Sequence, residues 1–170
     1  GAVSPAATEV CNSIDDDCDG DIDDADGSLD TSTGTTFYRD SDRDSYGDAA
    51  TTTESCLVPS GYVSDATDCD DGLAAVNPAA TEVCNSIDDD CDGDIDDADS
   101  SVDLSTGTTW YRDGDSDSYG DASSTTESCL VPSGYVSDAT DCDDTSGAVS
   151  PAATEVCNSI DDDCDGDIDD

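Results

Sequence analysis

The sequence CNSIDDDCDGDIDD stands at residues 11–24, 84–97 and 157–170 and places seven carboxylates in fourteen residues. Alternating Asp followed by Gly is the pattern by which a tight loop turns several carboxylate oxygens toward one hard cation, the Gly supplying the turn. The candidate ligands in the first copy are Asp15, Asp17, Asp19, Asp21, Asp23 and Asp26, with Gly20 at the turn. The second copy supplies Asp88, Asp90, Asp92, Asp94, Asp96 and Asp99, and the third Asp161, Asp163, Asp165, Asp167 and Asp169. A second constellation, YRDSDRDSYGD, offers Asp40, Asp42, Asp44 and Asp48, repeated as Asp113, Asp115, Asp117 and Asp121. The short run TDCDD adds Asp68, Asp70 and Asp71, then Asp141, Asp143 and Asp144.

The whole chain is acidic. Its 170 residues carry 46 Asp plus Glu against three Arg and no His, a net charge of −43. Repulsion on that scale opposes a compact state, so the carboxylates need cations that the chain does not itself provide. The charge sign excludes direct binding to nucleic acid or anionic membranes, and no apolar run is long enough to insert in a membrane. Paired carboxylates can do acid–base chemistry, but identical clusters recurring along a chain point to structure, so no enzyme is expected.

Repetition orders these clusters. Residues 1–73 match residues 74–146 at 61 of 73 positions, and residues 147–170 copy residues 1–24 without a change. The expected organisation is a repeat unit at 1–73, a second at 74–146 and a partial third at 147–170. The sequence opens and closes in mid-pattern without an initiator Met or leader, so a segment or processed form of a longer repetitive protein is expected.

Ten cysteines, with no His and no C-x2-C, read as disulfides of a secreted protein. The set is Cys11, Cys18, Cys56, Cys69, Cys84, Cys91, Cys129, Cys142, Cys157 and Cys164. The preferred pairing is local, Cys11 with Cys18 and Cys56 with Cys69 and their repeats. The alternative joins Cys18 to Cys56, Cys69 to Cys84, Cys91 to Cys129 and Cys142 to Cys157. With local pairing and an extended backbone, Asp17 and Asp19 would face an ion while Cys18 faces away toward Cys11.

No window shows helical periodicity. A short strand is expected around Phe37 and Tyr38, and the fold class is mostly irregular, loops with short β-pieces, in an elongated tandem-repeat array stapled by calcium and disulfides. About a dozen apolar residues per unit, among them Val10, Ile14, Ile22, Phe37, Leu57 and Val58, are too few to offset the ordering entropy. The segment before Cys11 reads as an extended connector. The Thr-rich stretches read as polar linkers or as sites of O-linked glycans.

The order FYRDSDRDSYGD, GYVSDATDCDD, NPAATEVCNSIDDDCDGDIDD resembles the secreted bacterial metal-binding repeat family with the MopE-type Cys/Asp motif, named after a surface copper protein of a methanotroph. Its aspartate loops are also similar to thrombospondin type 3 and EF-hand calcium loops, with Asp26 or Asp99 where the EF-hand has a bidentate Glu and with no flanking helices. Family members often carry Gly where this chain has Ser45 and Ser118. The resemblance implies secretion and metal binding. Copper in the naming protein uses His and a modified Trp, whereas this oxygen-only donor set suits Ca2+. Trp110 reads as a packing substitute for Phe37.

The expected product is an extracellular structural protein, with about two or three Ca2+ per unit, whose partners are neighbouring repeats or copies of itself in a fibre. Seven ions would lower the charge to about −29. The alternatives are a calcium-stiffened spacer for a larger adhesin or secreted protein, or an ion-storing or mineral-nucleating acidic protein. Chelation is expected to soften the chain more than reduction alone.

Overall fold

The computed structural model describes residues 3–169; Gly1, Ala2 and Asp170 lie outside the described residues. The chain divides into two compact units, Gly1–Ala80 with Asp88–Gly93, and Thr81–Ile87 with Asp94–Asp170. Each is mostly irregular and contains one small antiparallel sheet. In the first, β1 (Thr35–Arg39) lies between β2 (Asp48–Ser55) and β3 (Tyr62–Val63). In the second, β4 (Thr108–Arg112) lies between β5 (Asp121–Ser128) and β6 (Tyr135–Val136). The only helical elements among the described residues are three-residue 3-10 turns, Asp23–Ala25, Thr31–Thr33, Asp96–Ala98 and Leu104–Thr106.

The β1–β2 hairpin frames the second acidic constellation. Phe37 pairs with Thr53 and Tyr38 with Thr52, then the register jumps so that Arg39 faces Asp48. The skipped residues of β2 bend the hairpin, and residues 40–47 become its tip. Gly47 is required there, since a Cβ would lie 2.8 Å from both the Asp65 carbonyl and the Tyr38 Cβ. Ser45 and Ser118 hold φ of 84° and 82°, the left-handed region that glycine adopts most readily. A serine in that conformation costs about 1 kcal/mol or more.

Among the described residues three apolar side chains are buried, Phe37, Val76 and Val149, whereas Glu9, Asp16, Asp26, Glu82, Asp89, Asp96, Asp99 and Asp162 are buried acids. Ile14, Ile22, Leu57 and Val58, expected in a small core, are exposed, Leu57 to 71%. The interior is therefore organised by carboxylates accepting backbone N–H groups, and apolar burial is a minor contributor. Trp110 takes the position of Phe37 in the second sheet, facing Thr126, and its indole N–H donates to the Ser128 carbonyl at 3.1 Å.

The disulfides correct both expected pairings. The bridges are Cys11–Cys56, Cys69–Cys91, Cys84–Cys129 and Cys142–Cys164, and Cys18 and Cys157 carry exposed free thiols. The cause is visible at Asp24. Its Oδ1 and Oδ2 accept the Cys56 and Leu57 N–H groups, each at 2.8 Å, and this grip sets the end of β2 beside Cys11. Asp97 does the same for Cys129 and Leu130. Cys18 has φ of 65°, so the extended backbone that would have turned it toward Cys11 does not occur. Bridges spanning 45 and 22 residues are worth about 4 and 3 kcal/mol in the chain-entropy model, more than the short local loops would have been.

Candidate metal centres

The acid loop of the first unit is held by its own backbone. Gly20, at φ 104°, donates its N–H to Asp15 Oδ2 at 3.2 Å, Asp19 N–H to Asp17 Oδ1 at 3.2 Å, and Asp21 N–H to Asp19 Oδ1 at 2.9 Å. Each bond uses one lone pair of one carboxylate oxygen, and Asp17 Oδ2 also accepts the Ser28 hydroxyl at 3.3 Å, so every carboxylate keeps lone pairs for a ligand. Asp15, Asp17 and Asp19 converge, with one oxygen from each lying within 4.8 Å of the others. Asp15 Oδ1 is buried and has no hydrogen-bond partner.

Other acids of the pattern have different surroundings. Asp23 Oδ1 accepts the Asn12 and Ser13 N–H groups, both at 2.9 Å; Asp96 and Asp169 occupy the same place in their copies, with bonds from Asn85 and Ser86 and from Ser159. Asp21 and Asp167 are exposed. The third copy repeats the loop bonds, Gly166 N–H to Asp161 Oδ2, Asp165 N–H to Asp163 Oδ1 and Asp167 N–H to Asp165 Oδ1. In the second copy Gly93 N–H donates to Asp88 Oδ2, and Asp92 and Asp94 also have partners.

The hairpin tip forms the second centre. The bridge between Asp48 and Asp68 brings TDCDD under the tip. Two groups result, Asp40 with Asp42 and Asp71, and Asp42 with Asp44 and Asp68, each within 4.8 Å, so Asp42 belongs to both. Oδ2 of Asp42, Asp44 and Asp68 is buried and unpartnered. In the second unit Asp115, Asp117 and Asp141 likewise carry buried oxygens without partners, and Asp113 Oδ1 accepts the Ser116 and Asp117 N–H groups. Asp48 and Asp121 are engaged locally, Asp48 by Ala50 N–H and Thr51 Oγ1, Asp121 by Ser123. Asp70 and Asp143 accept from Gly72 and Thr145. Asp71 holds Ser41, and Asp144 holds Gly114 and Arg112, the latter at 3.2 Å. That is the one ion pair among the described residues.

Three ionised carboxylates at such spacing repel by about 3 to 4 kcal/mol per pair at an effective dielectric of 20. Accordingly, removal from water, and then neighbouring carboxylates, push Asp42, Asp68, Asp115 and Asp141 above the ordinary Asp range. Asp24 and Asp97 are pushed below it, chiefly by the N–H groups of Cys56 and Cys129. A carboxylate raised on folding favours the fold once protonated, so its contribution appears as pH falls through the folded value. A lowered one contributes above the unfolded value, and that contribution is lost as pH falls through the folded value. In chelator the melting temperature is therefore expected to rise as pH drops from 7 toward the upper carboxylate range, then to fall below about 4. With excess divalent ion, protons compete with the metal and the melting temperature should only fall. Circular dichroism melts in both conditions check the reversal of slope.

Glu9, Glu82 and Glu155 are functional residues that the alternating-Asp pattern does not reveal. Glu9 is fully buried. Its Oε2 accepts Asp16 N–H at 2.8 Å and its Oε1 accepts Asp23 N–H at 3.0 Å, so the segment read as a connector is the clamp of the acid loop. Glu155 makes the same two bonds to Asp162 and Asp169. The available signal was a Glu two residues before the first Cys of every copy.

These donors fit a hard divalent cation, since buried carboxylate oxygens stand unpartnered at the centres. They do not fit copper(I), which prefers thiolate, thioether or imidazole: the chain has no His or Met, and eight of its ten cysteines are bridged. No curated protein and no solved structure matches the chain. A family model described as "Putative metal-binding motif" (Cu-binding MopE) matches it three times, at residues 1–24, 68–97 and 141–170. Each match contains one acid loop with its clamping Glu, and the second and third also contain the DCDD of residues 68–71 and 141–144. These three segments carry the motif of the MopE-type repeat family.

Proposed function

We propose that this is a calcium-binding tandem-repeat protein of the extracellular space, with a structural and non-catalytic role, whose units build a filament or surface fibre. The observation that carries the reading is the recurrence in both units of oxygen-only acid groups with buried, unpartnered carboxylate oxygens in a chain with three cationic side chains. Such groups are stable when a multivalent cation completes them, and Ca2+ accepts the irregular, oxygen-rich coordination they offer. Four disulfides fit an oxidising compartment, and no helix among the described residues is long and apolar enough to cross a membrane. Repeats at a strict period contact chiefly their neighbours, which favours growth in one direction. The Thr-rich strand β2 exposes Thr52, a position suited to an O-linked glycan.

The test is electron cryo-microscopy of the native material with and without a calcium chelator. Ordered fibres with density between Asp15, Asp17 and Asp19, lost on chelation, are expected. Single chains unchanged by chelation would overturn the reading, and monomers that still order with calcium would favour the spacer.

A further inference from the structure

We propose that the acid loop of the first unit is a two-ion centre: Glu9 and Asp26 hold a second hard divalent cation beside the one at Asp15 and Asp19, and Asp17 bridges the two. This rests on the metal-binding reading above and deepens it. An Asp-x-Asp-x-Asp-Gly loop by itself calls for one ion. The folded chain gathers a second group, in which Glu9, Asp17 and Asp26 each bring an oxygen within 4.8 Å of the others. Asp17 is common to both groups.

Burial distinguishes the second group from an ordinary acidic surface. Glu9 is 0% and Asp26 7% exposed. Asp26 Oδ1 accepts Ser28 N–H at 2.6 Å, whereas its Oδ2 is buried with no partner at all. An unpartnered oxygen of a buried carboxylate, facing two further carboxylates, is stable only if something positive lies between them. The two N–H groups that Glu9 accepts occupy one lone pair on each oxygen and leave the other for a metal. Neither Arg nor any other cationic side chain pairs with this group among the described residues. In the second unit Glu82 is 0% and Asp99 4% exposed, and Asp99 Oδ2 is again buried without a partner.

The arrangement also explains why the twelfth position is Asp and not the longer Glu of single-ion loops. Asp26 serves a different ion, and the reach that a bidentate Glu would provide comes from Glu9.

The experiment counts Ca2+ on the disulfide-intact 170-residue chain by native mass spectrometry, comparing the parent with Asp15→Asn, Asp26→Asn and the double variant. Asp26→Asn preserves the acceptor for Ser28 and changes only the unpartnered side of the group. Each single variant is expected to lose one ion, and the double variant two. Loss of the same single ion in all three would mean one shared site and overturn the proposal, as would an unchanged count in Asp26→Asn. A parent chain that holds no Ca2+ would instead overturn the metal-binding reading itself. Should the variants fail to fold, crystals of the parent soaked in Tb3+ decide the matter: anomalous peaks on both sides of the Asp17 carboxylate support two ions, and a single peak refutes them.

Discussion

Removing divalent ions from the folded protein is expected to melt the acid loops while the disulfides still hold the chain together. One ion present at a hundred times its dissociation constant stabilises the folded state by about 2.7 kcal/mol, so a few ions reach the 5 to 15 kcal/mol that typically separates folded from unfolded domains. Without them the carboxylate groups at Asp15–Asp19 and Asp40–Asp44 are left with repulsion alone. Hydrogen exchange should show this directly. The amides of Gly20, Asp21, Asp44 and Tyr46, which donate to Asp15, Asp19, Asp42 and Asp44, should lose protection in chelator and regain it when Ca2+ is restored. Unchanged protection would show that the loops are stable without metal. The long-range bridges alter the comparison with reduction. At about 3 to 4 kcal/mol each, four bridges rival the ions in total, so reduction in calcium should destabilise the chain globally while sparing these loop amides, and only the combined treatment should unfold it fully.

The second large effect is expected from Glu9→Ala. The substitution removes the acceptors of two loop N–H groups, Asp16 at 2.8 Å and Asp23 at 3.0 Å, from a site with no solvent exposure. An orphaned buried donor costs about 1 to 3 kcal/mol, so a loss of several kcal/mol is expected in denaturant titration. Leu57→Ala, at a side chain 71% exposed, should change stability by no more than about 0.5 kcal/mol. This ordering reverses that of an ordinary globular domain, where the buried leucine would matter and the acid would not. A Glu9→Ala variant as stable as Leu57→Ala would show that the clamp contributes nothing.

The features that depend on local pattern are legible in the residues alone. The 73-residue period is read directly by laying the chain against itself, and the Asp15–Gly20 turn, the strand at Phe37–Tyr38 and the irregular character of the rest follow from residues within about ten positions of one another. Alternating Asp with Gly can close a loop on itself, and a chain so poor in apolar residues cannot build helices or sheets of any extent. Which cysteines meet, what fills the interior and which acids converge emerge only in the folded chain. Cys11 meets Cys56 because Asp24 grips the end of β2. Glu9 becomes a clamp because the chain returns its N–H donors from Asp16 and Asp23 to one buried spot. Asp42 finds Asp68 only through the bridge at Asp48. Spacing fixes which neighbours can face the same way, but contacts across 14 to 45 residues depend on hydrogen bonds that form only once both segments are folded, and a buried carboxylate has no hydrophobic signature to announce it.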